Sequence, residues 1–213
     1  MRVGQDLGSI QWFPNFIRPI SARILEVYCR LSTSADMTTY ILSRTSPTNT
    51  TLANPEGVVI YEISTPDILG PSQTTIKRGD TVIATIQWNL VKGSTISINN
   101  KTSPIDEVFP RSGTLSMSRV WTTANGEQLK WKDSAKLYCV SVETGLNLAT
   151  YDRTYFSLFR DKKSTLDISA DAAHLIDDLV VTWVITEKKA RNRRRSQSVG
   201  SHKGGSGEGD VAS

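Results

Sequence analysis

The sequence predicts a mainly β fold, a closed antiparallel barrel of about twelve strands that encloses a hydrophobic C-terminal α-helix. Two observations lead to this prediction. Short segments rich in β-branched and aromatic residues alternate with turn formers between residues 37 and 168. A densely apolar segment without Gly or Pro, residues 169–189, follows them. Because a barrel of about a dozen strands has room for one helix about 10 Å across, the two observations fit together.

The first 36 residues differ from the strand-rich part that follows, and they are predicted to form an N-terminal extension. Within it, Pro19–Leu31 has apolar residues on one side at helical spacing, so this stretch is either a short amphipathic helix or disordered. No function is indicated for the extension. The barrel with its central helix is assigned to residues 37–190.

Strands and turns alternate through this domain. Asn125-Gly126 is the strongest two-residue hairpin signal in the chain, and Thr144-Gly145 is a second one. Pro104–Phe109 is predicted to be a short loop or a single helical turn. The predicted strands are Thr39–Leu42, Val58–Ser64, Thr74–Ile76, Thr81–Trp88, Ser94–Ile98, Ser116–Thr122, Glu127–Lys132, Leu137–Val142, Leu146–Tyr151, Tyr155–Phe159 and Thr165–Ile168.

The apolar segment is predicted to be a helix that is buried on nearly all sides, because its apolar side chains cover most of the circumference at 100° per residue. A buried strand is the alternative, since Leu179–Thr186 is rich in β-branched residues. The apolar portion is shorter than the roughly 20 residues that cross a bilayer, so no transmembrane segment is predicted. The residues predicted to form the buried face are Leu175, Ile176, Leu179, Val180, Trp183 and Val184.

The positive charge of the chain is confined to its end. From Glu187 onward there are seven basic and three acidic residues, which accounts for the whole net charge of +4, while the remainder has 18 of each. Residues 191–213 are predicted to be a disordered tail, first basic and then rich in Gly and Ser. The candidate contact residues are Lys188, Lys189, Arg191, Arg193, Arg194 and Arg195.

Three interpretations of this basic segment remain open: a solvated helix end, a nuclear-import or nucleic-acid patch, and a contact with anionic lipid. No aromatic residue is interleaved, so sequence-specific nucleic-acid binding is not expected. Ser196 and Ser198 follow arginines in a pattern that suits basophilic kinases, which makes both candidate phosphorylation sites. The predicted partners are therefore anionic membrane lipid or a nuclear-import receptor.

No catalytic residue, metal site or cofactor is predicted. His174 with Asp171, Asp177 and Asp178 could form a metal or acid–base site, although carboxylates at a helix start are equally expected from dipole complementarity. The two cysteines belong to no CxxC pattern, and Cys139 is predicted to be a core residue. The tryptophans of the strands could be core residues or line a ligand pocket.

With no signal peptide evident, the chain is expected to be an intracellular, non-enzymatic binding or scaffold domain. The alternative is a small-ligand carrier or enzyme with a pocket at the barrel mouth near His174.

Several blocks of sequence resemble an uncharacterised domain family that is abundant in mushroom-forming basidiomycete fungi. The blocks occur in order from about Met37 to Arg194, and they are Tyr40–Leu52, Val59–Pro66, Ile86–Trp88, Asn125–Lys132 and Leu175–Val184. That family in turn resembles the tubby C-terminal superfamily, which includes plant LURP-one-related proteins and phospholipid scramblases. The resemblance implies a roughly twelve-stranded barrel around a hydrophobic helix, and it implies no particular function.

Overall fold

The computed structural model describes residues 37–66, 72–89, 93–114, 116–134, 136–153 and 163–200, with side chains described as far as Gln197. The predicted helix over Pro19–Leu31, the predicted strand Tyr155–Phe159 and the Gly/Ser-rich end after residue 200 lie outside these residues.

Twelve strands form one antiparallel sheet in the order β7-β6-β5-β4-β3-β2-β1-β12-β11-β10-β9-β8. The first and last strands in sequence therefore lie side by side in its middle. The strands are β1 Met37–Leu42, β2 Thr50–Ala53, β3 Val59–Ser64, β4 Ser72–Arg78, β5 Thr81–Trp88, β6 Thr95–Ile98, β7 Lys101–Pro104, β8 Arg119–Thr122, β9 Gln128–Asp133, β10 Leu137–Ser141, β11 Asn147–Asp152 and β12 Thr165–Ser169. This confirms the predicted mainly β fold with a C-terminal helix.

Tight hairpins connect several neighbouring strands, as their turn residues indicate. Gly126 joins β8 to β9 with a φ of 85°, a backbone conformation that glycine adopts without strain. Asn99 and Asn100 both have positive φ between β6 and β7, which is the geometry of a type I′ turn. These turns fix the register, so alternate residues of each strand face the same interior.

The chain also forms two helices, one between β7 and β8 and one after β12. The short helix α1 (Ile105–Val108) comes directly after β7, and it confirms the predicted helical turn. A 3₁₀ turn, Ala170–Leu175, comes after β12 and continues into α2 (Ile176–Gly200), which resolves the open choice between helix and strand in favour of helix.

The sheet curves around the Leu179–Glu187 part of α2. Nine consecutive residues, Leu179–Glu187, are buried, which no helix on an open surface would allow. Side chains reach the helix from distant strands: Trp131 of β9 donates a hydrogen bond to Thr182, and the ring of Tyr151 on β11 packs 5.1 Å from that of Trp183. The core of the domain is therefore the contact between α2 and the inner face of the sheet.

The predicted closure of the barrel is not observed, because β7 and β8 are the two edges of the sheet and no backbone pairing joins them within the described residues. Pro104 ends β7 and has no N–H to donate. Between the edges, the chain passes through α1 and Phe109, whose buried side chain enters the core. The chain after α1 pairs briefly with β8, through a bridge between Arg111 and Arg119 and a 3.0 Å hydrogen bond from Val120 N–H to the carbonyl of Pro110. We call this gap between β7 and β8 the seam.

The predicted end of the C-terminal helix is also corrected. It was expected near Lys189 with a disordered tail from residue 191, but α2 continues to Gly200. The physical reason is that residues 189–199 contain neither Gly nor Pro, and several of their arginines bind carboxylates on the body of the domain. No helix in the described part of the chain has the length and apolar character needed to cross a membrane.

Candidate ligand cavity and basic helix end

A cavity of about 580 Å³ lies along the seam, between β5, β6 and β7 on one side and β8 on the other, with α2 as its floor. Most of its wall is apolar, and Val181 contributes from the helix. The apolar lining includes Val82, Ile83, Ile96, Ile98, Trp121 and Val181. We call this space the seam cavity.

The local sequence explains how these strands line the cavity. Ile96 and Ile98 are two residues apart on β6, so both point to the same face of the sheet. On β5, the register shifts so that Lys77 pairs with Val82 while Ile76 pairs with Ala84, which leaves Ile83 as an extra residue. This bulge allows the consecutive residues Val82 and Ile83 both to border the cavity. Val82 is 51% exposed and marks the mouth.

Two carboxylates of the first turn of α2 border the cavity, and they have different partners. Asp177 accepts a 2.5 Å hydrogen bond from the hydroxyl of Tyr61 and forms a 3.3 Å ion pair with Arg78. Burial and this hydrogen bond raise the pKa of Tyr61, so the phenol keeps its proton. The charge of Asp177 is therefore balanced by a side chain of the sheet.

Asp178 has no such countercharge. Its Oδ1 accepts a 2.7 Å hydrogen bond from Nε1 of Trp121, which is a neutral donor. No basic side chain of the described residues forms an ion pair with it. Burial raises the pKa of Asp178, the hydrogen bond from Trp121 opposes this, and the negative charges of Asp177 and Glu127 add to the rise.

The residues around His174 do not form the site that the sequence suggested. His174 is exposed, with Nε2 2.9 Å from Oε1 of Glu127, and it does not border the seam cavity. Asp177 and Asp178 bind the sheet instead, so they do not converge on the imidazole. The cavity described above lies at the seam, and His174 is not among its lining residues. Within the described ranges no three His, Cys, Asp or Glu side chains are grouped as metal ligands.

Near the middle of α2, Glu187 is fully buried, and several arginines lie close to its carboxylate. Its carboxylate binds Arg153 at 2.6 Å and Arg191, one helical turn later, also at 2.6 Å. Arg194 approaches the same carboxylate at 3.5 Å. A buried carboxylate is tolerated only when it is paired in this way.

Two further carboxylates, Asp133 and Asp106, form ion pairs with other basic residues of this segment. Asp133, at the end of β9, binds Arg193 at 3.0 Å and approaches Arg194 at 3.7 Å. Asp106 of α1 binds Lys189 at 3.0 Å. Burial lowers the pKa of Lys189, the nearby charge of Arg119 adds to this, and Asp106 opposes both. Three of the six candidate contact residues thus pair with carboxylates outside α2, and a fourth, Arg191, pairs with Glu187 of the helix itself.

The other candidate residues are placed as follows. Lys188 is half-buried, and burial, followed by the charges of Arg195 and Arg191, lowers its pKa. Arg195 is exposed. The exposed Ser196 donates a 3.1 Å hydrogen bond to the carbonyl of Asn192, one turn earlier in α2. Ser198 lies in the helix, beyond the described side chains.

The predicted buried face of the helix is in place. Leu179, Val180, Trp183 and Val184 have no exposed surface, Leu175 is 3% exposed, and Ile176 is partly buried against the same core.

Comparison with known proteins gives a family for this fold. Residues 45–192 match the model of a family described as "Family of unknown function (DUF6593)". The chain belongs to this family. The matched range contains every residue of the seam cavity and the basic segment as far as Asn192. The resemblance of the sequence to an uncharacterised domain family is therefore confirmed at the level of a family of unknown function.

Two further comparisons accompany this membership. The DUF6593 chain is similar to a protein from Arabidopsis thaliana whose X-ray structure is known, with 13% identity over 72% of this chain and 91% of that one, at a TM-score of 0.43. A likeness of that size supports no argument about function. No curated protein matches the sequence.

Sequence reasoning missed the acidic residues that organise the basic end of this DUF6593 domain. Glu187 lies four residues before Arg191, and that spacing was a usable signal for an ion pair on one helix face. Asp133 and Arg153 come at the ends of β9 and β11, far from α2 in sequence. Nothing local indicates that they meet the helix, so only the fold reveals the network.

Proposed function

We propose that this DUF6593 domain is a non-enzymatic binding domain that takes a small, largely apolar ligand into the seam cavity. The observation that carries the proposal is the cavity itself: its volume of about 580 Å³ and its mainly apolar wall are typical of ligand sites. Residues of β7 and β8 border it, and within the described residues no backbone ladder joins these two strands, so a ligand can enter between them.

Two side chains support a binding role over catalysis. The Cys139 thiol is fully buried, and burial raises its pKa far above the range in which a thiolate forms. The imidazole of His174 is exposed, and its Nε2 lies within hydrogen-bond distance of the Glu127 carboxylate. Neither borders the seam cavity, so neither this thiol nor this imidazole is in contact with the proposed ligand.

The proposal is tested by binding of the neutral apolar fluorophore Nile red. Ile98→Trp places a bulky ring in the cavity from β6, and Val58→Trp adds the same ring at an exposed position on the β2–β3 turn. We expect Ile98→Trp to reduce binding and Val58→Trp to leave it unchanged. Equal binding by both variants, or no binding by the unmodified protein, would contradict the proposal.

A second candidate function is contact of the basic helix end with anionic membrane lipid, with a nuclear-import receptor as the competing partner. Four basic residues of this segment, Lys189, Arg191, Arg193 and Arg194, form ion pairs with three carboxylates, Asp106, Asp133 and Glu187. Each uncompensated cation near an anionic bilayer contributes roughly 1 kcal/mol. Lys188, which has no acidic partner in the described part of the chain, is the proposed contact.

Vesicle sedimentation tests this second function without disturbing the ion pairs. Lys188→Gln should weaken binding to phosphatidylserine vesicles and leave phosphatidylcholine unaffected. Lys77→Gln removes the same charge from the sheet and is the matched control. Unchanged binding by Lys188→Gln would reject lipid contact, and importin pull-down with the same variants tests the competing partner.

We also propose that the family shares the architecture of the tubby C-terminal superfamily. The support is the combination of twelve antiparallel strands with a C-terminal helix buried against their inner face. An experimental structure tests this proposal by its strand order and by whether the seam is open or closed.

A further inference from the structure

One carboxylate of the seam cavity has no countercharge among the described residues. Asp177 and Asp178 both border the cavity, but Arg78 balances only Asp177. Asp178 is half-buried, and its side chain accepts a hydrogen bond from the uncharged indole of Trp121. The other strands that border the cavity bring no basic group into ion-pair contact with it among the described residues.

A half-buried carboxylate in an apolar wall is costly unless a cation pairs with it. The hydrogen bond from Trp121 satisfies one oxygen but does not neutralise the charge. The N-terminus of α2 stabilises this charge in part, and the cavity that Asp178 borders has room for a cation to complete the pairing. The ionisable group is therefore better suited to a ligand that brings its own positive charge.

The rest of the cavity defines the remainder of that ligand. Ile96, Ile98 and Val181 offer an apolar surface for a hydrocarbon chain. The aromatic ring of Trp121 borders the same space, and aromatic faces attract ammonium groups. A carboxylate-bearing ligand would instead meet two like charges from Asp177 and Asp178.

From this arrangement we infer that the seam cavity binds an amphiphile with an ammonium head group, which pairs with Asp178 while its chain lies along Ile96, Ile98 and Val181. The inference rests on the proposed ligand-binding function and specifies its ligand class. Lys101 also borders the cavity, exposed at the start of β7, and its positive charge weakens the attraction without occupying Asp178.

Four probes with the same chain separate the head group from the hydrocarbon: decylamine, decyltrimethylammonium, decanol and decanoate. Displacement of Nile red from the full-length protein measures their relative affinities. We expect both ammonium compounds to bind about tenfold more tightly than decanol, and decanoate to bind most weakly.

Asp178→Asn tests the role of the carboxylate directly, because it keeps an acceptor for Trp121 and removes only the charge. It should abolish the preference for decylamine over decanol and leave decanol binding unchanged. Asp171→Asn, an exposed carboxylate on the 3₁₀ turn that does not border the cavity, is the matched control and should keep the preference. Lys101→Glu provides an independent test at an exposed position, and it should tighten decylamine and weaken decanoate.

The outcomes separate the inference from the proposed function. If decanol and decylamine bind equally, or if the preference survives Asp178→Asn, the inference is overturned while the ligand-binding function stands. If none of the four probes displaces Nile red and Ile98→Trp does not change its binding, the proposed function itself fails. Should Asp178→Asn not fold, an unchanged preference in Lys101→Glu overturns the inference, and a larger preference supports it.

Discussion

Nε1 of Trp131 lies 2.8 Å from Oγ1 of Thr182, and both residues have no exposed surface. The indole donates from the middle of β9, and the hydroxyl in turn donates to the carbonyl of Asp178, one turn earlier in α2. A single threonine thus joins the sheet to the central helix through a buried polar contact.

Thr182→Val should lower the free energy of unfolding by about 1–3 kcal/mol, because it keeps the side-chain shape but leaves the Trp131 N–H buried without an acceptor. Denaturant unfolding measures the loss. Thr186→Val is the matched control, since its buried hydroxyl donates only to the carbonyl of Thr182. Similar losses for the two variants would show that the contact between the sheet and the helix contributes little.

Asp178→Asn should stabilise the protein at neutral pH. Because burial raises the pKa of Asp178 in the folded state, the protonated form is favoured by folding, and its contribution is lost as the pH rises through that pKa. The variant removes this penalty. Thermal melting at neutral and at acidic pH should show the advantage shrinking as the pH falls, and an advantage that grows toward acidic pH would contradict this assignment.

Glu187→Gln should destabilise the domain by about 3 kcal/mol, because Arg191 loses its carboxylate and the buried side chain of Arg153 retains Asp133 but loses its other acidic partner, Glu187. Lys136→Gln disrupts an exposed pair with Asp152 and should cost no more than about 1 kcal/mol. Denaturant unfolding of both variants gives the comparison. If the two losses are equal, the basic end of α2 is not anchored by Glu187.

The thiol of Cys139 should not react with a thiol reagent in the folded protein, because it is fully buried and its pKa is raised by that burial. A Cys29→Ser variant leaves Cys139 as the single thiol in the chain. Reaction with a chromogenic disulfide should occur only after denaturant is added. Rapid reaction under native conditions would place Cys139 at an accessible surface.

The sequence predicted the parts of the fold whose pattern is local. The hairpin at Gly126 and the buried helix face were visible because turn chemistry and apolar periodicity lie within a few residues. β2 and β7 were missed. Lys-Thr-Ser-Pro of β7 contains no apolar side chain, since it forms an edge strand with an exposed face.

The open seam and the cavity could not be predicted, because both depend on which strands fail to pair. The residues that border the cavity come from β5 to β8 and from α2, almost a hundred positions apart. The basic segment was recognised by composition, yet its carboxylate partners Asp106 and Asp133 lie far away in sequence. Charge alone indicates that such a segment has partners and does not indicate which.

Hydrogen exchange of the full-length protein tests most directly whether α2 is enclosed by a sheet with an open seam. The amides of Leu179–Glu187 should exchange only through global unfolding, with the free energy that denaturant unfolding gives. Amides of β7 and β8 that face the seam without a hydrogen-bond acceptor should exchange much faster, whereas the Val120 amide, which donates to the carbonyl of Pro110, should be protected. Fast exchange along α2 would contradict enclosure, and equal protection of β7, β8 and the central strands would contradict the open seam.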